Sequence, residues 1–321
     1  MAHHEDFKSR VGRRHRARWP LLESGYQPQT VVRYKRAVTR FMDWCSTTKQ
    51  DAQNYDEFDE LLADYLQNMH EEKRGKGKQL AKETLYGVYM YMPRATDKLY
   101  VSNRIVNRWC KGQLPESYPP LTWELAVTIA VQMVRNGHYR YGIATLVAFD
   151  CLLRIGEFTR LCAGDVAVPR DARMGAEYRM TTLAIWQAKT GRNQSVEVLN
   201  ADVKKLLLML VATTKPKDKL FPGGPAAYRA VFKKVCAELE LSSKYVPHSL
   251  RHGGATRLHL TKWPLEDIMM RGRWASAKSA RTYIQSGRAM LMHMKAPKKI
   301  TDLAAVLAAD VVGSITLSQK H

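Results

Sequence analysis

The sequence has few of the features that mark disulfide-stabilised, metal-binding or secreted proteins. Its five cysteines are odd in number, widely spaced and never arranged as a CxxC pair: Cys45, Cys110, Cys151, Cys162 and Cys236. Such thiols are typical of an intracellular protein and argue against a disulfide framework or a zinc site. The ten histidines show no metal-ligand spacing, so we expect no metal and no other cofactor. The expected location is the nucleus for a eukaryotic source, and otherwise the cytoplasm or nucleoid.

Long apolar runs and acidic residues are also scarce. No run of 18 apolar residues occurs, since Asp302 and Asp310 interrupt even the apolar stretch 300–317, and no signal peptide opens the chain. A membrane is therefore not expected as a partner. Lysine and arginine number 51 against 30 aspartates and glutamates, which gives a net charge of +21. An excess of this size predicts a polyanionic partner, and nucleic acid is the better candidate.

The chain has the length of two domains, and its clearest boundary is rich in proline. Residues 111–120 read KGQLPESYPP, in which one glycine and three prolines cannot continue a helix. The predicted segments are a basic N-terminal arm (1–24), an all-α domain (25–112), a linker (113–120), a second domain (121–299) and a C-terminal helix (300–321). The arm is either a solvated tail or a phosphate-contacting segment, or a nuclear import signal in a eukaryote.

Apolar periodicity in the first domain predicts helices over about 28–45, 58–69, 81–92 and 97–110. On the first helix the apolar side chains share one face and three arginines occupy another. A second basic group lies in the KRGKGK loop after the second helix. These cations either form a solvated surface or contact DNA phosphates, and the strongly basic chain favours contact. The predicted DNA-binding residues here are Arg33, Arg36, Arg40, Lys73, Arg74, Lys76 and Lys78.

The second domain changes from helical to strand periodicity and back, which predicts an α+β fold within a mainly α chain. We expect helices over 121–136 and 139–153, then a hairpin of strands 181–187 and 194–199, then further helices. Gly191 suits the turn of the hairpin loop, 188–193. Lys189 in the same loop is either merely solvated or functional, and Arg192 is a further predicted DNA contact.

The stretch 247–283 carries the most chemistry. On a helix, the i,i+3 spacing of His248 and Arg251 turns an imidazole and a guanidinium toward the same side, where they suit a phosphate oxygen and a proton. Trp274 follows, and Tyr283 lies nine residues after it, in a helix predicted over 276–285. A tyrosine hydroxyl brought to the same place would be a nucleophile.

Arg154 stands at the end of the buried helix predicted over 139–153. A guanidinium at such a position needs either an anionic ligand or a salt bridge. Glu157, three residues later, is the candidate for the salt bridge.

The ordered set of these residues resembles the tyrosine recombinases, also called phage-type integrases. Six residues match in local contexts that also fit: Arg154 in LLRIGEF, Lys189 in AKTGRN, His248 and Arg251 in HSLRH, Trp274 in GRW and Tyr283 in ARTYI. The resemblance covers about 27–283. It implies an all-α, SAM-like core-binding domain followed by an α+β catalytic domain. Trp274 stands where the family more often has histidine, which is an allowed variant.

The resemblance implies a role for each matched residue. The implied roles are phosphate binding for Arg154 and Arg251, proton transfer for His248 and Lys189, packing for Trp274 and nucleophilic attack for Tyr283. Two neighbours are expected to assist: Glu157 holds Arg154, and His252 is the alternative proton acceptor.

The expected function is that of a site-specific DNA recombinase or integrase acting through a 3′-phosphotyrosyl intermediate. Its partner would be double-stranded DNA, bound by a homotetramer on two sites, and a mobile element of the crypton type is the expected source. The C-terminal helix would cover its own domain or dock on a neighbouring protomer. The alternatives are DNA relaxation by a type IB topoisomerase, which shares the chemistry, and a domesticated DNA-binding protein without activity.

Overall fold

The computed structural model describes residues 23–112, 117–188 and 191–319, and it confirms a mainly helical chain with a small antiparallel sheet. The chain forms two compact units, Met1–Glu116 and Ser117–His321. Each unit has its own apolar core and is described by itself. The predicted basic arm lies outside the described residues except for its last two positions, and Lys189 also lies outside them.

The described part of the first unit is built from α1 (Pro28–Thr48), α2 (Tyr55–Glu72), α3 (Lys78–Tyr91) and α4 (Tyr100–Gly112). Helix α1 packs on α3, and α2 packs on α4. The buried Asp59 of α2 accepts hydrogen bonds from the amides of Val101 and Ser102 at 2.7 and 2.8 Å. Because these amides have no partner within their own helix, Asp59 caps α4 from a distance and fixes how the two helices pack.

The second unit opens with two buried helices that form the centre of its core. These are α5 (Trp123–Arg135) and α6 (Tyr139–Asp150), followed by the short α7 (Ile155–Phe158). After the sheet come α8 (Ala201–Ala212), α9 (Gly224–Glu238), α10 (His248–Leu260), α11 (Leu265–Gly272), α12 (Ala277–Arg281), α13 (Ser286–Met294), α14 (Lys298–Ala309) and α15 (Val311–Ser318). Helix α5 begins at the Thr122 cap, whose hydroxyl accepts from the Leu125 amide.

The sheet has strand order β1-β2-β3 and is antiparallel throughout, with β1 (Val166–Ala167), β2 (Thr182–Ala188) and β3 (Gly191–Glu197). The predicted hairpin is present, but the predicted loop over 188–193 is wrong. Ala188 pairs with Gly191 across the ladder, so Gly191 is the first residue of β3 instead of a turn residue. The six-residue estimate failed because strand periodicity is weak in the polar segment that starts β3.

The C-terminal segment packs on its own unit, the first of the two arrangements considered above. Helix α14 lies against α5, and Ile300, Ala304, Leu307 and Ile315 belong to the core of the unit. The predicted single helix is two helices, because the backbone breaks at Asp310, whose carboxylate accepts from the Gly313 amide and starts α15. No single helix among the described residues has the length and apolar character to span a membrane. Helices α14 and α15 have them only when taken together, and this pair is bent by 105°.

Helix α10 approaches the backbone of its neighbours closely. A methyl group on Gly254 would lie 2.2 Å from the carbonyl oxygen of Phe149, and one on Gly253 would lie 2.1 Å from that of Leu121. Real Cβ atoms do not come so close to backbone, so only glycine permits this packing. The first residues of α10, His248 and Arg251, are thereby placed next to the end of α6.

We expect Gly254→Ala to destabilise the second unit, because backbone must move to admit the methyl group. Overpacking of this kind typically costs about 1–3 kcal/mol. Gly287→Ala in α13 is the matched control, since nothing lies within 4 Å of its added methyl group; it should be neutral or slightly stabilising. Urea unfolding of both variants checks this, and equal stabilities would show that the close approach is not a constraint.

Candidate active site

The site is organised around the buried guanidinium of Arg251, one turn into α10. The side chain is fully buried, and it donates through Nη1 to the carbonyl of Leu152 and through Nη2 to the carbonyl of Gly272. Leu152 adopts a left-handed conformation with φ of 50°, just past the end of α6. Arg251 thus connects three segments that are distant in the sequence: the end of α6, the start of α10 and the end of α11.

The aromatic rings of Trp274 and Tyr283 cover the same guanidinium. Its Cζ lies 4.5 Å from the centroid of the Trp274 ring and 5.3 Å from that of Tyr283. Contacts of this kind stabilise a desolvated cation by about 2 kcal/mol. The Nε of Arg251 has no hydrogen-bond partner among the described residues. A buried N–H without a partner is costly, so Arg251 is suited to receive an anion.

Burial, followed by the nearby Arg154 and Arg273, lowers the pKa of Arg251 to about 9, while Glu157 opposes the shift. The guanidinium is still charged at neutral pH, but it lies in a strongly electropositive place. An anion bound there would lower the free energy of the cluster.

Glu157 bridges two arginines behind this guanidinium. Its Oε1 accepts from Nη1 of Arg154 at 2.7 Å, and its Oε2 accepts from Nη2 of Arg273 at 2.8 Å. Oε2 also accepts from the Arg154 amide at 2.9 Å, which caps α7. Burial raises the pKa of Glu157, but Arg273 and then Arg154 outweigh it, so the net pKa is lowered and the carboxylate stays ionised.

Tyr283 lies beside His248, as the resemblance to the tyrosine recombinases implied. The hydroxyl of Tyr283 is 3.2 Å from Nε2 of His248, within hydrogen-bond distance. The helix predicted over 276–285 is wrong in extent, because α12 covers only Ala277–Arg281. Tyr283 follows in a turn, in which its amide donates to the Ala280 carbonyl. The turn matters because it lets the ring point back at α10.

The Trp274 ring packs against the Tyr283 ring and lies across Gly272, two residues earlier in the chain. The two rings lie 4.6 Å apart, and a methyl group on Gly272 would lie 1.9 Å from the Trp274 ring. Glycine is therefore required at position 272. The indole Nε1 is buried with no hydrogen-bond partner among the described residues, so it can donate to a bound ligand.

His252 stacks on the Tyr283 ring, with the ring centroids 4.4 Å apart and the planes at 27°. This position supports the ring without placing an imidazole nitrogen at the hydroxyl. Burial and then the neighbouring His248 lower the pKa of His252 to about 3, so it is neutral at physiological pH. His248 has the better geometry for receiving the hydroxyl proton.

The end of the predicted linker also contacts the site, which the sequence did not indicate. The ring of Tyr118 lies edge-on to His248 at 5.8 Å, and Oγ of Ser117 accepts from Nε2 of Gln285 at 2.6 Å. Gln285 is two residues past Tyr283. The segment that enters the second unit therefore touches both the imidazole and the turn of the tyrosine.

Other predicted residues lie elsewhere or outside the described residues. Arg33, Arg36 and Arg40 are exposed on α1, where Arg33 pairs with Glu83 at 3.5 Å. The basic loop between α2 and α3 carries Lys73, Arg74 and Lys76, and Lys78 is the first residue of α3. For Arg192 only the backbone, in β3, is described, and Lys189 stays a prediction.

The most important residue that sequence reasoning missed is Arg273. It adopts φ of 56°, and its buried guanidinium contacts Glu157 and Leu152. The only signal was its place between Gly272 and Trp274, and no local pattern shows that this arginine turns inward.

Comparison with known proteins agrees with this geometry. The phage integrase family matches residues 126–289, just over half of the chain, and the chain belongs to that family. It is a tyrosine-type DNA strand transferase, a site-specific recombinase. A search of curated proteins found no match to the chain.

Solved structures show the same fold at low identity. A lambda integrase dimer bound to a COC' core site is 15% identical, with a TM-score of 0.60 over 89% of this chain and 78% of that one. The Tn1549 transposon integrase in complex with transposon right end DNA is 11% identical, with a TM-score of 0.58 over 91% and 99%. The XerH recombinase in a post-cleavage complex with a difH substrate is 16% identical, with a TM-score of 0.53 over 87% and 79%.

The depressed pKa of His252 predicts how stability varies with pH. Between about 3 and 6.5 the unfolded chain binds a proton at His252 that the folded protein does not, so the free energy of unfolding falls as pH falls through this window. The loss approaches about 1.4 kcal/mol per pH unit. His252→Gln should be less stable at pH 7 but lose less on acidification to pH 5. Urea unfolding at several pH values measures this, with exposed His259→Gln as control; parallel curves for wild type and His252→Gln would contradict it.

Proposed function

We propose that this recombinase cleaves double-stranded DNA by attack of the Tyr283 hydroxyl on a scissile phosphate held by Arg154 and Arg251. The observation that carries the proposal is the 3.2 Å separation of the Tyr283 hydroxyl from Nε2 of His248, beside the buried Arg251 guanidinium, whose Nε–H has no partner in the described part of the chain. A nucleophile, a proton acceptor and an anion-binding group meet in one place. The hydroxyl lies in the site of its own chain, so we propose attack in cis.

The arginines supply the charge that the reaction needs. Two of the five N–H donors of Arg251 are used by backbone carbonyls, which leaves its Nε–H and the second N–H of each Nη for phosphate oxygens. Arg154 gives one bond to Glu157 and keeps its remaining donors, with its side chain 19% exposed. Guanidinium forks bind phosphate oxygens well and stay charged as negative charge develops in the transition state.

The proposed cleavage step exchanges one bond at phosphorus and moves two protons. The Tyr283 oxygen bonds to phosphorus while the bond to the 5′ oxygen breaks, and the phenolic proton passes to His248. Lys189 is proposed as the acid that protonates the 5′ oxygen. The products are a 3′-phosphotyrosyl linkage and a 5′ hydroxyl. A 5′ hydroxyl from a second strand then reverses the step, and no ATP is needed because the linkage conserves the bond energy.

The first unit is proposed to grip the duplex through its exposed cations. Arg36 and Arg40 stand on one side of α1, and Lys73, Arg74 and Lys76 lie in the turn before α3. Phosphate contacts of this kind carry no sequence information, but they make binding depend strongly on salt. We further propose a homotetramer on two DNA sites and an origin in a mobile element of the crypton type, inside the cell and in the nucleus of a eukaryote. These proposals rest on the family alone.

Tyr283→Phe should abolish covalent capture of DNA while leaving the fold intact, because the ring keeps its contacts and only the hydroxyl is lost. Incubation with nicked suicide duplexes, followed by denaturing gels, should show an SDS-resistant 3′ adduct for wild type and none for the variant. Tyr139→Phe, at the start of α6, is the matched control. Equal adduct from wild type and Tyr283→Phe would exclude Tyr283 as the nucleophile.

The same assay separates the remaining alternatives. DNA binding without adduct from wild type would indicate a DNA-binding protein without activity. Adduct with relaxation of supercoiled DNA, but without exchange between two duplexes, would indicate a type IB topoisomerase.

Lys189→Ala should slow cleavage by about 10²–10⁴, the usual loss when a general acid is removed. A substrate with sulfur in place of the 5′ bridging oxygen should restore the rate, because a thiolate leaves without a proton. Arg192→Ala, on the same hairpin, should weaken DNA binding and show no such rescue. A Lys189→Ala enzyme that remains slow on the sulfur substrate would remove Lys189 from the role of acid.

A further inference from the structure

Arg273 is the buried cation that the proposed chemistry does not use. It lies between Gly272 and Trp274 and ends α11 in the left-handed region, where its amide bonds to the carbonyls of Met269 and Met270. Residues other than glycine and asparagine rarely adopt this conformation. The turn sends the Arg273 side chain inward while the Trp274 ring lies across Gly272.

Both Nη nitrogens of the Arg273 guanidinium donate to protein groups. Nη2 donates to Oε2 of Glu157 at 2.8 Å and to the Leu152 carbonyl at 3.1 Å, and Nη1 donates to the Arg271 carbonyl at 3.1 Å. The side chains of Arg273 and Glu157 are only 4% and 3% exposed. The contacts of Arg273 with Glu157 and Leu152 therefore give it a route to act on the reaction through these partners.

Two of those partners serve the phosphate-binding arginines directly. Leu152 presents one carbonyl to both Arg251 and Arg273, and Glu157 pairs with both Arg154 and Arg273. Arg273 thus bonds to one group that holds Arg251, the Leu152 carbonyl, and to one that holds Arg154, the Glu157 carboxylate.

The formal charges of the cluster formed by Arg154, Arg251, Arg273 and Glu157 indicate how Arg273 affects phosphate binding. Arg154, Arg251 and Arg273 carry three positive charges and Glu157 carries one negative charge, which leaves a net +2 in a largely buried place. A phosphodiester carries one negative charge and gains a second as it becomes pentacoordinate. Without Arg273 the cluster would hold only +1, and Glu157 would have Arg154 as its sole guanidinium, which would cancel the charge that the phosphate needs.

We propose that Arg273 is a positioning residue that takes up the charge of Glu157, so that Arg154 and Arg251 meet the scissile phosphate with both positive charges available. The proposal rests on the proposed function of these two arginines. It differs from a purely structural ion pair, which would hold the loop of Trp274 without affecting the charge offered to the phosphate.

Charge removal on both sides of the pair tests this distinction. Arg273→Met should slow single-turnover cleavage by about 10- to 100-fold, the loss typical of a group that acts through the residue it orients. Adding Glu157→Gln to Arg273→Met returns the cluster to +2 and should recover most of the lost rate. A structural ion pair predicts the opposite, since the double variant loses the same bond and gains nothing.

A neutral substrate provides a second readout that does not depend on folding. With a methylphosphonate at the scissile position the substrate has one negative charge fewer, so the ratio of wild-type to Arg273→Met rates should shrink toward one. If Arg273→Met does not fold, as judged by thermal unfolding, Arg273→Lys is measured on both substrates. Arg273→Lys keeps the positive charge, so it should retain most of the wild-type rate on the phosphodiester. If the pair were only structural, losing the geometry of the guanidinium would slow cleavage even though the charge is kept.

The outcomes separate the two proposals. An active wild type whose Arg273→Met rate is unchanged, or whose double variant is no faster than the single one, overturns the role of Arg273 and leaves the proposed function standing. A wild type that forms no covalent adduct overturns both.

Discussion

The burial of one guanidinium, that of Arg251, is the constraint on which the second unit depends. A charge taken out of water must be held by well-placed acceptors, and here two backbone carbonyls from distant segments supply them. Those carbonyls are available only because Leu152 turns into the left-handed region and α11 ends at Gly272. The fold therefore positions the chemical groups and stabilises the cation through the same contacts.

The other site residues are arranged around that cation. Trp274 and Tyr283 cover it, His252 stacks on the Tyr283 ring, and His248 lies at hydrogen-bond distance from the Tyr283 hydroxyl. Because the Tyr283 ring has several neighbours, its hydroxyl is held near the His248 imidazole. Preorganisation of this kind removes reorganisation from the chemical step, which is where electrostatic catalysis gains most of its effect.

Local patterns predicted what depends on local physics. The helices and the hairpin followed from apolar periodicity, whereas the meeting of His248 with Tyr283 was implied by the resemblance of the ordered residues to the tyrosine recombinases. Features set by long-range packing were missed, namely the inward course of Arg273 and the approach of Tyr118 to His248. The predictions for the turn that carries Tyr283 and for the strand position of Gly191 were wrong, the latter because the polar start of β3 has weak strand periodicity. A left-handed arginine and a tyrosine at a linker end have no signature in spacing, because the partner that defines each lies far along the chain.

Identification of the residue that becomes bonded to DNA would test the role of Tyr283 without any assumption about rates. Wild-type protein trapped on a suicide duplex can be digested with nuclease and protease, and the nucleotide-bearing peptide located by mass spectrometry. We expect a 3′-nucleotide on Tyr283, the tyrosine that contacts His248 and the buried Arg251. A nucleotide on Tyr118, which also contacts His248, or on any other tyrosine would contradict it.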